Sequence, residues 1–152
     1  MITREVDYAI RTVLALSRRG ASPSASTVAV ATADLAKETD IPFRFLRRIV
    51  RKLVEGGVLT SQRGNGGGVQ LTKPPEAISL LAVIAAVDKR STKLNLCTIT
   101  SANCPRSGAC LVHQELLALQ NTLEARLDQI TMPQLIQAAT EECSTLQAVT
   151  SD

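Results

Sequence analysis

Apolar residues recur three and four apart in the opening segment, where Val6, Ile10, Val13 and Leu14 predict one face of a helix over residues 3–19. Thr3 is placed to cap this helix and Gly20 to end it. Residues 21–31, rich in Ser, Ala and Pro, read as a loop with a short strand at its end. Thr32 can cap a short helix carrying Leu35 and Ala36, and TDIP then makes a turn. A second helix over 43–54 places Phe45, Leu46, Ile49, Val50 and Leu53 on its apolar side, so the pair is a helix-turn-helix. Two short strands, 58–62 and 69–72, enclose Arg63-Gly64-Asn65-Gly66-Gly67-Gly68 and predict a hairpin with an almost side-chain-free tip. Gly-rich nucleotide loops open a helix, whereas a strand follows these glycines, so a wing is expected.

Beyond the break at KPPE, Ser79 caps an apolar helix over 80–87, and residues 88–93 lead into a polar, turn-rich segment. From Leu111 to Ile130, leucines 116, 119, 123 and 127 with Ile130 form a seam that needs a partner. The polar residues Gln114, Glu115, Gln120 and Glu124 are assigned to the opposite, solvated side. Thr131, Met132 and Pro133 stop this helix and begin a short last one ending near Thr140, followed by a loose tail. The expected fold class is mainly α, a winged helix-turn-helix DNA-binding domain with a long C-terminal dimerisation helix. Its parts are residues 1–76 for DNA, 77–140 for linker helix, loop and dimerisation helix, and 141–152 for the tail.

Composition changes this picture in three ways. Hydrophobic residues make up 45% of the 152, but aromatics only 2%, so the core must be aliphatic. No apolar run approaches the ~20 residues of a membrane span, and a cytoplasmic protein with no membrane partner is expected. Residues 1–73 hold 12 Lys/Arg against 6 Asp/Glu, and the rest hold 5 against 8, so the N-terminal half suits a polyanion. Within it Arg44, Arg47, Arg48 and Arg51 fall on one side of the second helix, largely opposite Leu46, Ile49 and Leu53. Such a side can be merely solvated. Arginine's planar fork, however, also pairs bidentately with guanine or clamps phosphate, and Arg63 beside a glycine tip can reach a phosphate or narrow minor groove.

The candidate chemistry lies in Cys97–His113, which holds three of the four cysteines and the only histidine. Six residues separate Cys97 from Cys104, five Cys104 from Cys110, and two Cys110 from His113. Thiolates and an imidazole suit zinc or an iron–sulfur cluster, and these gaps, wider than a CxxC pair, fit the bulkier centre better. Buried apolar cysteines or disulfides are the plainer alternatives, but neither accounts for the shared location in a loop. Asp7, in the first turn of the first helix, needs no role beyond favouring the helix dipole. No nucleophile–base–orienter set is visible, so an enzyme is not expected.

The succession of a helix containing VDYAIR, a helix-turn-helix, the wing RGNGGG, a three-cysteine loop and a long helix closing with ITMPQLI resembles the Rrf2 family of bacterial regulators. The likeness extends to about residue 140, and the wing and cysteine loop are its specific parts. It implies a homodimeric repressor that reads palindromic double-stranded DNA and whose affinity depends on an iron–sulfur cluster. The implied DNA contacts are Arg44, Phe45, Arg47, Arg48, Arg51, Arg63, Gly64 and Gly66. Cys97, Cys104 and Cys110 match the family's cluster thiolates. His113 matches the fourth ligand of members with a 2Fe-2S centre, and Asp7 the carboxylate that others offer across the dimer to a 4Fe-4S centre. The spacing leans toward 2Fe-2S, although the first interval is one residue longer than in the histidine-ligated pattern. That branch carries a serine and a glutamate where this chain has Arg44 and Arg47, so an operator with guanines at those steps is expected. Two further readings stand beside this one, a cluster-free thiol–disulfide sensor of the same fold and a zinc-stapled or electron-transfer protein.

Overall fold

The computed structural model describes residues 3–20, 29–62, 64, 67–94 and 112–149. Helix α1 spans Arg4–Arg18, α2 Thr32–Thr39 and α3 Phe43–Glu55. Strands β1, Leu59–Gln62, and β2, Gly68–Leu71, form an antiparallel hairpin in which Leu59 faces Leu71 and Gln62 faces Gly68. A single 3-10 turn at Pro75–Ala77 leads to α4, Leu80–Val87, and the C-terminal part holds α5, His113–Gln129, and α6, Met132–Val149.

The expected caps are formed at α1 and α4. Thr3 Oγ1 accepts from the Val6 amide at 3.4 Å, and Ser79 Oγ accepts from Ala82 at 3.2 Å. Thr32 does not act as a cap. It is the first helical residue of α2, Ala31 precedes it in extended conformation, and no side chain caps that end. Asp40 closes α2 in the left-handed region, φ 52°, which short polar side chains tolerate, and so turns the chain toward α3. The last helix also departs from expectation, continuing to Val149 instead of ending near Thr140. Residues 134–149 contain neither glycine nor proline, so nothing in them breaks a helix once begun.

One aliphatic core joins these elements. Val6, Val13 and Leu16 of α1, Leu35 of α2, Leu46, Ile49 and Leu53 of α3, Leu59 and Leu71 of the hairpin and Val83 of α4 are all buried with Met132. Leu16 is fully buried, whereas Ile10 and Leu14, on which the periodicity leaned, are only partly covered. Phe45, counted on the apolar side of α3, is instead 56% exposed. It lies one residue before the fully buried Leu46, a step of roughly 100° that turns it out of the core.

The strand expected before α2 is reduced to one bridge, in which Val30 and Val69 exchange hydrogen bonds of 2.9 and 2.8 Å. The approach is close: a Cβ on Gly68 would lie 2.3 Å from the Val30 carbonyl oxygen. Gly68→Ala should therefore separate the hairpin from Val30 and destabilise the fold by about 1–3 kcal/mol, measured by urea unfolding.

Candidate DNA-reading face and anchorage of the cysteine loop

Helix α3 presents Arg44, Arg47, Arg48 and Arg51 to solvent in one row, the side opposite buried Leu46, Ile49 and Leu53. Beside this row an open cleft of about 780 Å³ separates α3 from the wing. Phe43, Arg47 and Arg51 line one wall, and Ser61, Gln62, Gly64 and Gly67 the other. Gly64, at φ 108°, adopts a backbone conformation that side-chain-bearing residues rarely reach. Arg63 and Gly66 lie outside the described residues.

The four arginines are not equivalent. Arg47 lies over the Phe43 ring at 5.9 Å, which orients its guanidinium without neutralising it. Arg51 is paired with Glu55 at 2.8 Å, one turn along the same helix. Arg48 is ion-paired with Glu5 of α1. Among the described residues, Arg44 and Arg47 have no carboxylate partner.

Cys97, Cys104 and Cys110 lie outside the described residues, and the described chain on either side of them meets at α5. Leu80 N donates to Ile130 O at 2.8 Å, and Ser79 Oγ donates to Asp128 Oδ1 at 2.7 Å. Residues 79–94 thus begin beside the far end of α5 and run back along it. Their other end is fastened by Gln120. Its amide nitrogen donates to Thr92 O at 3.0 Å, and its amide oxygen accepts from Leu94 N at 2.9 Å.

Sequence reasoning put Gln120 on the solvated side, and that placement is corrected: it is 2% exposed. An amide that both donates to and accepts from backbone can be buried without an unsatisfied group. The signal was legible in part, since residue 120 lies four after Leu116 and three before Leu123. Lys93 reinforces the contact by binding Glu124 Oε1 at 2.5 Å. His113 opens α5 where the chain returns from the loop. It is two helical turns from Gln120 and on the same side, so the loop leaves and re-enters within about 10 Å along one helix face. Asp7 lies in α1, where Arg11 holds its carboxylate through Nη2 at 3.0 Å and Nε at 3.2 Å.

Several features of this arrangement define a class, a winged helix-turn-helix protein built to read duplex DNA. They are a basic row on an exposed helix, a glycine-containing hairpin beside it, and an appended long helix that follows the cysteine segment in the chain. The Rrf2 family model, described as an iron-dependent transcriptional regulator, matches residues 2–138, and the chain belongs to that family. A helix-turn-helix transcriptional regulator of Haemophilus influenzae is 31% identical over 89% of this chain and 85% of its own length. The transcriptional repressor NsrR of Streptomyces coelicolor is 28% identical over 91% of this chain and 90% of its own. Among solved structures CymR, the global cysteine regulator of B. subtilis, matches with a TM-score of 0.68 at 16% identity. That match covers 91% of this chain and 97% of CymR, and shows a shared fold. The protein is thus a transcriptional regulator. No helix among the described residues is long and apolar enough to cross a membrane.

Two carboxylates at the loop anchor titrate below their usual range. Hydrogen bonding from Lys93 lowers Glu124, and hydrogen bonding from Ser91 lowers Asp88, in each case against partial desolvation. A carboxyl group depressed in the folded state contributes stability above its unfolded value, about 4, and loses it as pH falls through the folded value. In urea unfolding from pH 7 to 3, Asp88→Asn/Glu124→Gln should therefore lose less stability on acidification than wild type.

Proposed function

We propose that this chain is a homodimeric repressor of a palindromic operator, its DNA affinity switched by an iron–sulfur cluster on Cys97, Cys104 and Cys110. The reading rests chiefly on the flanks of the cysteine segment, since Thr92 and Leu94 before it are held by Gln120 and His113 after it opens the same helix, α5. That donor set suits iron in a cluster. His113 is the preferred fourth ligand, with a 2Fe-2S centre, because it stands at the loop's return, while Asp7 is engaged by Arg11. When bound, the cluster supplies a centre that oxidants or nitric oxide can alter and that iron shortage removes. Thr92, Leu94, Gln120 and Glu124 form the base from which the loop departs.

The dimer reading is supported by apolar surface left uncovered on and just before α5. Leu119 is 58% exposed and Leu117 40%, the preceding Val112 is 56% exposed, and the one buried residue of the helix is the polar Gln120. A two-fold dimer would cover this surface and set two α3 helices against successive major grooves, about 34 Å apart.

Arg44 and Arg47 are the base-reading candidates, and Phe45, exposed beside them, is an apolar contact for a thymine methyl. Arg48, Arg51, Arg63, Gly64 and Gly66 are assigned to the sugar–phosphate backbone.

Anaerobic purification tests the cofactor. Coloured protein with about stoichiometric iron and sulfide is expected, and colourless protein with a reversible disulfide would assign the thiol sensor instead. Cys104→Ala should lose the chromophore yet remain a dimer by light scattering. In binding assays with selected and random duplexes, Arg47→Ala should cost about 1–3 kcal/mol on the selected sequence alone. Arg63→Ala should weaken both and reduce the salt slope by about 1.

A further inference from the structure

Lys52 belongs to α3 but not to its DNA row. Its side chain is 31% exposed, and its ammonium lies 2.5 Å from Glu5 Oε2 and 3.1 Å from the Val87 carbonyl oxygen. Val87 is the last residue of α4, whose closing carbonyls have no partner within the helix, and a cation there is also favoured by the helix dipole. Glu5, 29% exposed, gives its other carboxylate oxygen to Arg48, the member of the DNA row nearest α1. One carboxylate and one ammonium thus tie three helices together.

The tie continues beyond α4. Asp88 follows Val87 and fixes the turn after it, accepting from Arg90 N at 3.0 Å and from Ser91 Oγ at 2.6 Å. Ser91 N donates to Asp88 O and Lys93 N to Arg90 O, at 3.2 and 3.1 Å. Thr92 and Leu94 are then held by Gln120 at the base of the cysteine loop. A continuous polar chain therefore joins that base to Arg48, and Lys52 carries it from α4 to α3.

We propose that Lys52 is a positioning residue that couples the base of the cysteine loop to the DNA-contacting side chain Arg48, through Val87 on one side and Glu5 on the other. The proposal rests on the function proposed above and adds the route of regulation. A shift of residues 88–94 moves the Val87 carbonyl. Lys52 then redistributes between that oxygen and Glu5, which changes how firmly Glu5 withholds Arg48 from phosphate. Because coupling free energy is reciprocal, DNA bound to Arg48 must alter the stability of residues 88–94 in turn. A lysine that only capped α4 would leave that segment indifferent to DNA.

The test uses full-length protein, in whichever of the anaerobically purified and iron-free states selects a duplex from a random pool, together with that duplex. Amide exchange at Asp88, Ser91, Lys93 and Leu94 is measured with and without saturating duplex. In wild type the duplex should change these rates by about fivefold or more. In Lys52→Met, which keeps the aliphatic stem, and in Glu5→Gln the change should fall within about twofold of none. Arg51→Met, outside the route, should bind more weakly but respond like wild type once saturated. If Lys52→Met fails to fold by circular dichroism, Glu5→Gln carries the comparison. Wild type that binds duplex without altering exchange, or variants that respond as wild type does, overturns the coupling alone. Wild type that selects no sequence in either the anaerobically purified or the iron-free state overturns the proposed function and the coupling with it.

Discussion

The close approach of α4 to the end of α3 is the constraint on which the remaining geometry depends. A Cβ on Gly56 would lie 2.4 Å from Ala86 Cβ, so the chain leaves α3 without a side chain in order that α4 can lie against it. With only 2% aromatic residues, burial has to come from many short aliphatic contacts, which demand such proximity. Once α4 is seated, Val83, Ile84 and Val87 complete the core of the DNA-binding elements, and the same helix presents its ends to α5 and Lys52. The helix that closes the core therefore also carries the connection to the cysteine loop.

Elements whose burial follows a simple period were legible in the sequence. The helix-turn-helix, the hairpin and the long helix all appear where their patterns place them, because leucine and isoleucine spacing and glycine position determine them locally. The differences arise where long-range contacts decide. Leu16 is buried because α1 is covered on more than one side, a breadth that a narrow periodic stripe underestimates. Phe45 is apolar yet faces solvent, since the turn of the helix that buries Leu46 carries it out of the core. Gln120 was misassigned because its partners, Thr92 O and Leu94 N, are backbone atoms more than twenty-five residues away, and no side-chain pattern announces them.

The candidate site shows the same division. Periodicity puts four arginines in one row, but it cannot reveal that Glu5 and Glu55 take two of them. Those pairings are exposed and individually weak, so they cost little to exchange for phosphate. They leave Arg44 and Arg47 as the cations free of carboxylates in the described part of the row. This gives the face a graded character, with two guanidiniums free of carboxylates among the described residues and two held by an internal partner.

The bridge between Val30 and Val69 ties the hairpin to the residue pair that immediately precedes α2. The wing side of the cleft is thereby fastened to the chain that leads into α2 and α3. A duplex held against a wing fastened in this way meets a cleft whose two walls share one support, and its own sequence-dependent deformability then contributes to the fit at base pairs no side chain touches.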